Sequence, residues 1–268
     1  DAVREVADNV LEIKIPFVSK SSYAERMHSA FSALFALAES ESLLVSPITL
    51  PEHVPIRRSA FFSTLAFPSL SSLSQTASMH IHVAVQNEEE MIALYGSLFE
   101  ISQLALERSA VMIMGKPIRS QMLSAAFSPL PKQLTCKLSV NSIAQFNFLL
   151  TSVASAVDLH LPTDVRIELI KQFPQFFSGG SLSHLTPDKV FSLVRMRPDL
   201  QNNGFFGSVE FRAFDGQPSF QRDLLLARMF VDDCDIAAQL SEVQPIEMSY
   251  DLVQVHRHYM HSLGEQYG

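Results

Sequence analysis

Pairs of ionisable side chains two residues apart occur in four otherwise apolar segments of the chain. The pairs are Glu12 and Lys14, His80 and His82, Arg195 and Arg197, and Glu210 and Arg212. Successive residues of a β-strand point to opposite faces, so the two members of each pair share one face and their apolar neighbours share the other. Charges in a half-buried strand are costly to desolvate, and strands that carry them usually line a cleft or bind a ligand. The four segments therefore predict strands with one polar face that lines a cleft.

The dipeptide Asn203-Gly204 separates two of these segments. It favours a two-residue type I′ hairpin turn, because both central residues of that turn need positive φ. The cross-strand pairs predicted by such a turn are Arg197 with Glu210 and Arg195 with Arg212. An Arg–Arg pair is repulsive unless an anion lies between the two guanidinium groups. The hairpin is therefore a candidate anion site.

Length and composition narrow the class of protein. The chain has 268 residues, 47% of them hydrophobic, which is enough for a large core, and we expect 1–268 to form a single domain. The formal net charge of −8 argues against a general nucleic-acid binder, which needs clustered Lys and Arg. No apolar run approaches the roughly 18 to 20 residues of a membrane span, and no secretory signal follows Asp1. The two cysteines, Cys136 and Cys234, are expected to be buried thiols in a reducing compartment, which predicts a cytoplasmic protein.

The spacing of apolar residues predicts the remaining organisation. Helices are predicted over 21–40, 87–108, 141–159, 163–173, 219–242 and 250–263. The stretch 44–74, rich in proline and serine, is predicted to be a long loop or insertion, and 113–137 to be irregular. Helices intermixed with an antiparallel hairpin predict an α+β protein, with helices on one sheet face and the polar pairs on the other.

Two of the polar segments resemble motifs of a known superfamily. Residues 79–82 (MHIH) are similar to the MHxH strand of glutamine synthetases, and 209–215 (VEFRAFD) are similar to their (I/V)E(V/F)RxxD strand. The order of motifs is nearer to that of glutamate-cysteine ligases of the bacterial carboxylate-amine ligase type. In those ligases a strand ending in Arg-Pro, here 197–198, precedes a vEfRvfD strand, and HVHV precedes an acidic helix. The resemblance covers about 79–108 and 190–240, and more weakly 11–17.

The resemblance implies a curved, largely antiparallel sheet that forms an open funnel, with helices packed on its outer face. It implies an ATP-dependent carboxylate-amine ligase that makes an acyl phosphate, which an amine then attacks; a γ-glutamyl amide is the expected product. ATP and Mg²⁺ or Mn²⁺ are the implied cofactors, since charge developing on the transferred phosphoryl group must be neutralised. A small-molecule carboxylate and an amine are the implied partners, without nucleic acid or membrane, and a homo-oligomer is left open.

Motif positions carry the roles known in the family over to individual residues of this chain. The implied metal ligands are Glu12, His80 and Glu210. The implied nucleotide-binding residues are His82, Arg195 and Arg197. The implied catalytic residues are Arg212, which would hold the transferred phosphoryl group or the substrate carboxylate, together with Arg197 and Lys14.

One position departs from the family pattern and keeps alternatives open. The first strand of the family carries two acidic residues as ExE, and Lys14 stands at the second of these positions. A protonated lysine cannot ligate a cation, so either one metal site is lost or Lys14 supplies its charge to the phosphates. The first alternative is a degenerate, non-catalytic relative that binds a nucleotide or a protein partner. The second is a metal-dependent hydrolase that would use His80, His82, His160, His184 and Asp215, although the chain offers too few strand-helix units for the barrel of such enzymes.

Overall fold

The computed structural model describes residues 2–4, 11–16, 19–50, 76–127, 140–146, 193–199, 206–232 and 235–267. These residues form a mixed α+β structure. Its strands are β1 (Ala2–Arg4), β2 (Leu11–Ile13), β3 (Ser78–Val85), β4 (Val111–Ile113), β5 (Lys116–Pro117), β6 (Val194–Asp199), β7 (Phe206–Asp215) and β8 (Ile246–Met248). Its helices are α1 (Tyr23–Ser40), α2 (Glu88–Arg108), α3 (Ile118–Phe127), α4 (Phe220–Val231), α5 (Ile236–Glu242) and α6 (Leu252–Tyr267). The Asn203-Gly204 turn, helix 163–173, His160, His184 and both cysteines lie outside the described residues.

A three-stranded antiparallel sheet with the strand order β3-β7-β6 carries three of the four polar pairs. Its apolar face presents Val194, Val209 and Phe211, none of them measurably exposed, to helix α2. Helix α2 contributes Met91 and Tyr95 to the same core cluster. The β-branched and aromatic residues that alternate along these strands suit such a half-buried sheet. For the three pairs that this sheet carries, helices cover one face and the polar pairs occupy the other, as predicted.

The register between β6 and β7 differs from the prediction. Arg195, and not Arg197, lies opposite Glu210. Arg197 lies opposite Ser208, the predicted apposition of Arg195 and Arg212 does not occur, and both predicted pairs are wrong. More residues separate β6 from β7 than a two-residue turn allows. A shift of two residues leaves every side chain on its own face, so the apolar alternation did not distinguish the two registers.

Strand β7 contains a β-bulge. Arg212 and Ala213 together lie opposite the single residue His80 of β3. Phe211 before the bulge and Phe214 after it are both fully buried, although strict alternation would place them on opposite faces. A bulge adds one residue to a strand and re-aims the side chains beside it, and bulges are frequent near functional sites.

Of the fourth polar pair, Glu12 lies in a separate two-stranded sheet, and Lys14 directly follows its second strand. Strand β2, which carries Glu12, pairs antiparallel with β1. Within the described residues β2 makes no ladder with the central sheet, and that sheet does not close on itself. The α+β class is therefore as predicted, but three of the four polar pairs share one sheet and the fourth does not belong to it.

A β-hairpin follows helix α2, in a segment that was predicted to be irregular. Met114 and Gly115 form the two-residue turn between β4 and β5, with φ values of 55° and 73°. Both lie in the left-handed region that a type I′ turn requires. Methionine is unusual in that position, so the sequence did not indicate the turn. The prediction for 113–137 is wrong in its described part, which also holds helix α3, and β8 extends this sheet by pairing parallel with β4.

Several predicted helices are confirmed, and one is divided. Helices α1, α2 and α6 match the predictions over 21–40, 87–108 and 250–263, although α6 continues to Tyr267. The predicted helix 219–242 is α4 followed by α5, because the side chain of Asp235 caps α5 by accepting bonds from two backbone N–H groups. Of the predicted helix 141–159, residues 143–146 are described and helical. Across the parts of the chain that the structure describes, no helix is both long and apolar enough to cross a bilayer.

Candidate functional site

The carboxylate of Glu210 lies at the centre of the polar face, with its side chain only 4% exposed. Basic side chains from all three strands surround it. The distances are 2.8 Å from Arg197 Nε to Oε2, 3.9 Å from Arg195 Nη1 to Oε2, 3.5 Å from Arg212 Nε to Oε1, 3.4 Å from His80 Nδ1 to Oε1 and 3.9 Å from His82 Nε2 to Oε1. We call these six residues the Glu210 cluster. Alternation along three paired strands is what brings them together.

The cluster has a buried floor and an exposed rim. The Arg195 side chain is 5% exposed and lies with Glu210 at the floor. Arg197 and His82, at 39% and 50% exposure, form the rim. Arg212 is intermediate at 17%. A ligand arriving from solvent would therefore meet Arg197, His82 and Arg212 before it met Arg195.

Glu210 is charged at neutral pH. Burial alone would raise the pKa of this carboxyl group, but Arg212 and Arg197 outweigh burial and lower the pKa to about 2. The bond from Arg197 is the shortest contact and contributes as a charge-assisted hydrogen bond. The floor therefore holds a permanent negative charge that the surrounding arginines compensate.

The two histidines of the cluster are neutral at pH 7. Burial, followed by the charge of Arg212, lowers the pKa of His80 to about 3. Burial is also the main cause of the lowered pKa of His82. Among the described residues, three guanidinium groups thus converge on one carboxylate of a chain whose net charge is −8. This local concentration of arginines favours an anionic ligand.

Two serines that the sequence analysis missed orient these histidines. Ser78 Oγ lies 2.8 Å from His80 Nε2, and Ser208 Oγ lies 3.2 Å from His82 Nδ1. The other ring nitrogen of each imidazole therefore faces Glu210. The available signal was position, because Ser78 precedes His80 by two residues and Ser208 precedes Glu210 by two, which puts both serines on the polar face.

Glu12 and Lys14 form an ion pair with each other at the edge of this region. Lys14 Nζ lies 3.1 Å from Glu12 Oε2, with side-chain exposures of 54% and 33%. Burial lowers the pKa of His82, and the Glu12 carboxylate opposes that shift, so Glu12 is within electrostatic reach of the rim. The structure thus brings the fourth polar pair near the cluster but not into its ladder.

The predicted metal set, Glu12, His80 and Glu210, does not fit the observed arrangement. Both carboxylate oxygens of Glu210 lie within 3.5 Å of a guanidinium nitrogen, and Glu12 is paired with Lys14. Among the residues that the structure describes, no group of three His, Cys, Asp or Glu side chains is placed to hold a metal ion. Guanidinium and ammonium groups therefore contact the carboxylate oxygens that would bind Mg²⁺ or Mn²⁺ in the predicted set.

Asp215, which the hydrolase alternative required, lies away from the cluster. It is 1% exposed. Its Oδ1 lies 3.1 Å from the Thr49 hydroxyl, and its Oδ2 accepts a bond from the backbone N–H of Val111 at 3.0 Å. Burial raises the pKa of Asp215 to about 6, although Arg119 opposes the shift. The carboxylate therefore ties the end of β7 to its neighbours and is not open to a substrate.

Arg119 is a further residue that the sequence analysis missed. It is 2% exposed, and its guanidinium group donates to the backbone carbonyls of Arg212 and Ala213. It lies in the segment predicted to be irregular, so nothing placed it near the sheet. The one available signal was a charged residue within an otherwise uncharged helical stretch, IRSQMLSAAF.

The Glu210 cluster therefore combines a charged central carboxylate, guanidinium groups from two strands and two neutral imidazoles. Such a set can bind the oxygen atoms of phosphate or carboxylate groups through charge-assisted hydrogen bonds. In comparisons with known proteins, no family model matches the chain, and no match was found among curated proteins or among solved structures.

Proposed function

We propose that the chain is an ATP-dependent carboxylate-amine ligase that forms a γ-glutamyl amide, with the Glu210 cluster as its phosphate-binding surface. The observation that supports this proposal is the convergence of three guanidinium groups on the buried Glu210 carboxylate of an acidic chain, with Arg197 partly exposed to solvent. A nucleotide triphosphate carries several negative charges, and guanidinium groups match phosphate oxygens in charge and geometry. Phosphoryl transfer depends mainly on positioning and on neutralising charge at the transferred group.

In the proposed reaction an oxygen of the acceptor carboxylate attacks the γ-phosphorus of ATP. The new O–P bond forms as the bond to ADP breaks. The amine nitrogen then attacks the carbonyl carbon of the acyl phosphate, the C–O bond breaks, phosphate leaves, and the nitrogen releases a proton to solvent. In this scheme Arg197 and His82 bind the nucleotide phosphates at the rim. Arg212 holds the transferred phosphoryl group, and Arg195 keeps Glu210 in place beneath it.

The proposal includes the shape and the location of the site. Strand β2 would flank the polar face and extend it toward a funnel, an arrangement supported by the electrostatic effect of Glu12 on His82. The two substrates would enter this funnel, with a small-molecule carboxylate and an amine beside the nucleotide. A cytoplasmic location, where ATP is abundant, completes the proposal.

Nucleotide binding is the first test. Calorimetry with Mg-ATP should show that Arg197→Gln weakens binding about tenfold, the effect of roughly one lost charge-assisted contact. Arg228→Gln is the matched control, because Arg228 Nε also bonds to a carboxylate, Asp232, at 2.9 Å but lies on α4 at the surface. Equal ATP affinity in the native chain and in Arg197→Gln would contradict the phosphate assignment.

Turnover is the second test. Native protein incubated with Mg-ATP, glutamate and a panel of amines should release ADP and phosphate only when both acceptors are present. Arg212→Gln should abolish this release, because the transferred group loses its guanidinium contact. ADP release that does not depend on glutamate or amine would contradict the ligase proposal.

A non-catalytic, nucleotide-binding relative is the second candidate. The observation that favours it is the ion pair between Lys14 and Glu12 at 3.1 Å, at a position where the family motif carries two carboxylates. This candidate predicts that ATP binds without turnover with every acceptor tried. Lys14→Glu restores the paired carboxylates, and the appearance of turnover in that variant alone would support the degenerate relative.

A further inference from the structure

We propose that Arg119 is a positioning residue that fixes the β7 bulge and thereby sets the place of Arg212 beside Glu210. The proposal rests on the proposed function only in treating Arg212 as part of a phosphate-binding surface. The contacts of Arg119 themselves are independent of any ligand.

The guanidinium group of Arg119 spans two consecutive carbonyl groups of β7. Nη1 donates to the carbonyl of Ala213 at 2.9 Å, and Nη2 donates to the carbonyl of Arg212 at 2.7 Å. These two residues are the pair that lies opposite His80 at the bulge. The planar fork of an arginine can reach both carbonyls at once, which a lysine ammonium on a single stem does not do in the same geometry.

The bulge needs such a partner. The extra residue of a bulge disrupts the ladder locally and leaves backbone groups without a regular partner. An unsatisfied buried carbonyl costs free energy comparable to a lost hydrogen bond. Arg119 comes from helix α3 and supplies both donors from within the protein, where its side chain is 2% exposed.

The buried positive charge of Arg119 is stabilised by the carboxylate of Asp215. Burial lowers the pKa of Arg119 to about 10, and Asp215 opposes this shift, so the guanidinium group stays protonated at neutral pH. Asp215 is itself held by Thr49 and by the N–H of Val111. The carboxylate that acts electrostatically on Arg119 therefore lies outside the Glu210 cluster.

The backbone N–H and C=O groups of Arg212 are therefore both hydrogen-bonded. Its N–H donates to the carbonyl of Leu193 at 2.8 Å, and its C=O accepts from Arg119. Its side chain then starts from a fixed backbone position and brings Nε to 3.5 Å from Glu210 Oε1. Release of the carbonyl would free the bulge to move and would displace Arg212 from its position beside Glu210.

Arg119→Lys is the variant that tests this proposal, since it keeps a positive charge near Asp215 and removes the fork. Arg222→Lys is the matched control, because Arg222 also donates to a backbone carbonyl, that of Gln244 at 2.7 Å, but lies on α4 outside the sheet. In ¹⁵N-arginine NMR spectra, the Arg212 Nε proton should exchange with solvent at least tenfold faster in Arg119→Lys than in the native chain. It should be unchanged in Arg222→Lys.

A double-mutant cycle on Mg-ATP affinity separates positioning from general stability. Arg119→Lys should weaken binding about tenfold in the native background and not at all in an Arg212→Gln background, because the effect passes through Arg212. In an Arg197→Gln background, Arg119→Lys should still weaken Mg-ATP binding about tenfold, because Arg197 lies on β6 and does not depend on the β7 bulge. Independent losses with Arg212→Gln would overturn the proposal.

The NMR measurement decides the proposal even if the native chain binds no ATP. An unchanged Arg212 Nε exchange rate in folded Arg119→Lys would overturn it. Failure of Arg119→Lys to fold would also overturn it, because Arg119 would then support the whole fold and not one side chain. If only the proposed function is wrong, the native chain will not bind ATP. The Arg212 Nε proton will still exchange faster in Arg119→Lys and at the native rate in Arg222→Lys.

Discussion

Glu210 and Asp215 lie on the same strand and are almost equally buried, at 3% and 1% exposure, yet their pKa values move in opposite directions. Burial is the largest influence on both and raises both. At Glu210, Arg212 and the other arginines outweigh burial and bring the pKa to about 2. At Asp215, Arg119 and neutral donors only reduce the effect of burial, and the pKa remains near 6. Burial alone therefore does not decide the charge of a carboxylate, whereas the number of nearby cations does.

The two carboxylates also differ in their access to solvent, which separates the proposed binding surface from the closed region beside it. The Glu210 cluster brings three guanidinium groups to one carboxylate, and the Arg197 side chain is 39% exposed to solvent. The Asp215 region is closed, with its carboxylate bonded to Thr49 and Val111. We expect substitution of the partly exposed arginines of the first region to change ligand binding. Substitution of the buried carboxylates should change stability in both regions, and in the second region also its dependence on pH.

Glu210→Gln should have the largest effect on stability. It leaves three guanidinium groups without their shared carboxylate, and loss of one partner from a buried ion pair costs about 3 kcal/mol or more. Glu12→Gln, which removes an exposed pair with Lys14, should change the free energy of unfolding by about 0.5 kcal/mol or less. Urea denaturation at pH 7 measures both. Equal losses of unfolding free energy in the two variants would mean that the buried arginines around Glu210 do not need its carboxylate for stability.

Asp223→Asn should change the pH dependence of stability. Asp223 accepts a bond from the Tyr259 hydroxyl at 2.9 Å, and burial raises its pKa to about 7 from 3.8. A carboxyl group whose folded pKa is raised stabilises the fold fully below its unfolded pKa, and that stability is lost as pH rises through the folded pKa. Between pH 5 and pH 7 the native chain should therefore lose about 2 kcal/mol more than Asp223→Asn. If the free energies of unfolding of the two proteins change in parallel between pH 5 and pH 7, the pKa of Asp223 is not raised.

Thr49→Val should have the smallest of the three effects. It removes a hydroxyl that lies 3.1 Å from Asp215 Oδ1 and accepts the N–H of Ala77. The expected loss is about 1 to 2 kcal/mol at pH 7, and less at pH 5, where Asp215 is more fully protonated and the bond is no longer charge-assisted. Ser97→Ala, which removes an exposed hydroxyl on α2, is the control for thermal or urea unfolding. A loss independent of pH would show that Thr49 acts on Ala77 and not on Asp215.

Local alternation predicted which side chains share the polar face, because that property depends only on the two-residue repeat. It did not predict the register, since registers that differ by two residues bury the same side chains. Arg119 escaped prediction for another reason. Its partners, the carbonyls of Arg212 and Ala213, are far away in sequence. They are also backbone groups, which every residue has, so the residue types do not indicate them.

The bulge gives β7 two phases of the same two-residue repeat. Val209 and Phe211 reach the core from odd-numbered positions, and Phe214 reaches it from an even-numbered one. Deleting Ala213 would remove the extra residue, so that Arg212 alone lies opposite His80 and Phe214 stays opposite Met79 on the core side. A one-residue deletion at this point therefore leaves every later residue of the strand on its own face, whereas the same deletion in the regular part of the strand would act like a frameshift in the side-chain pattern.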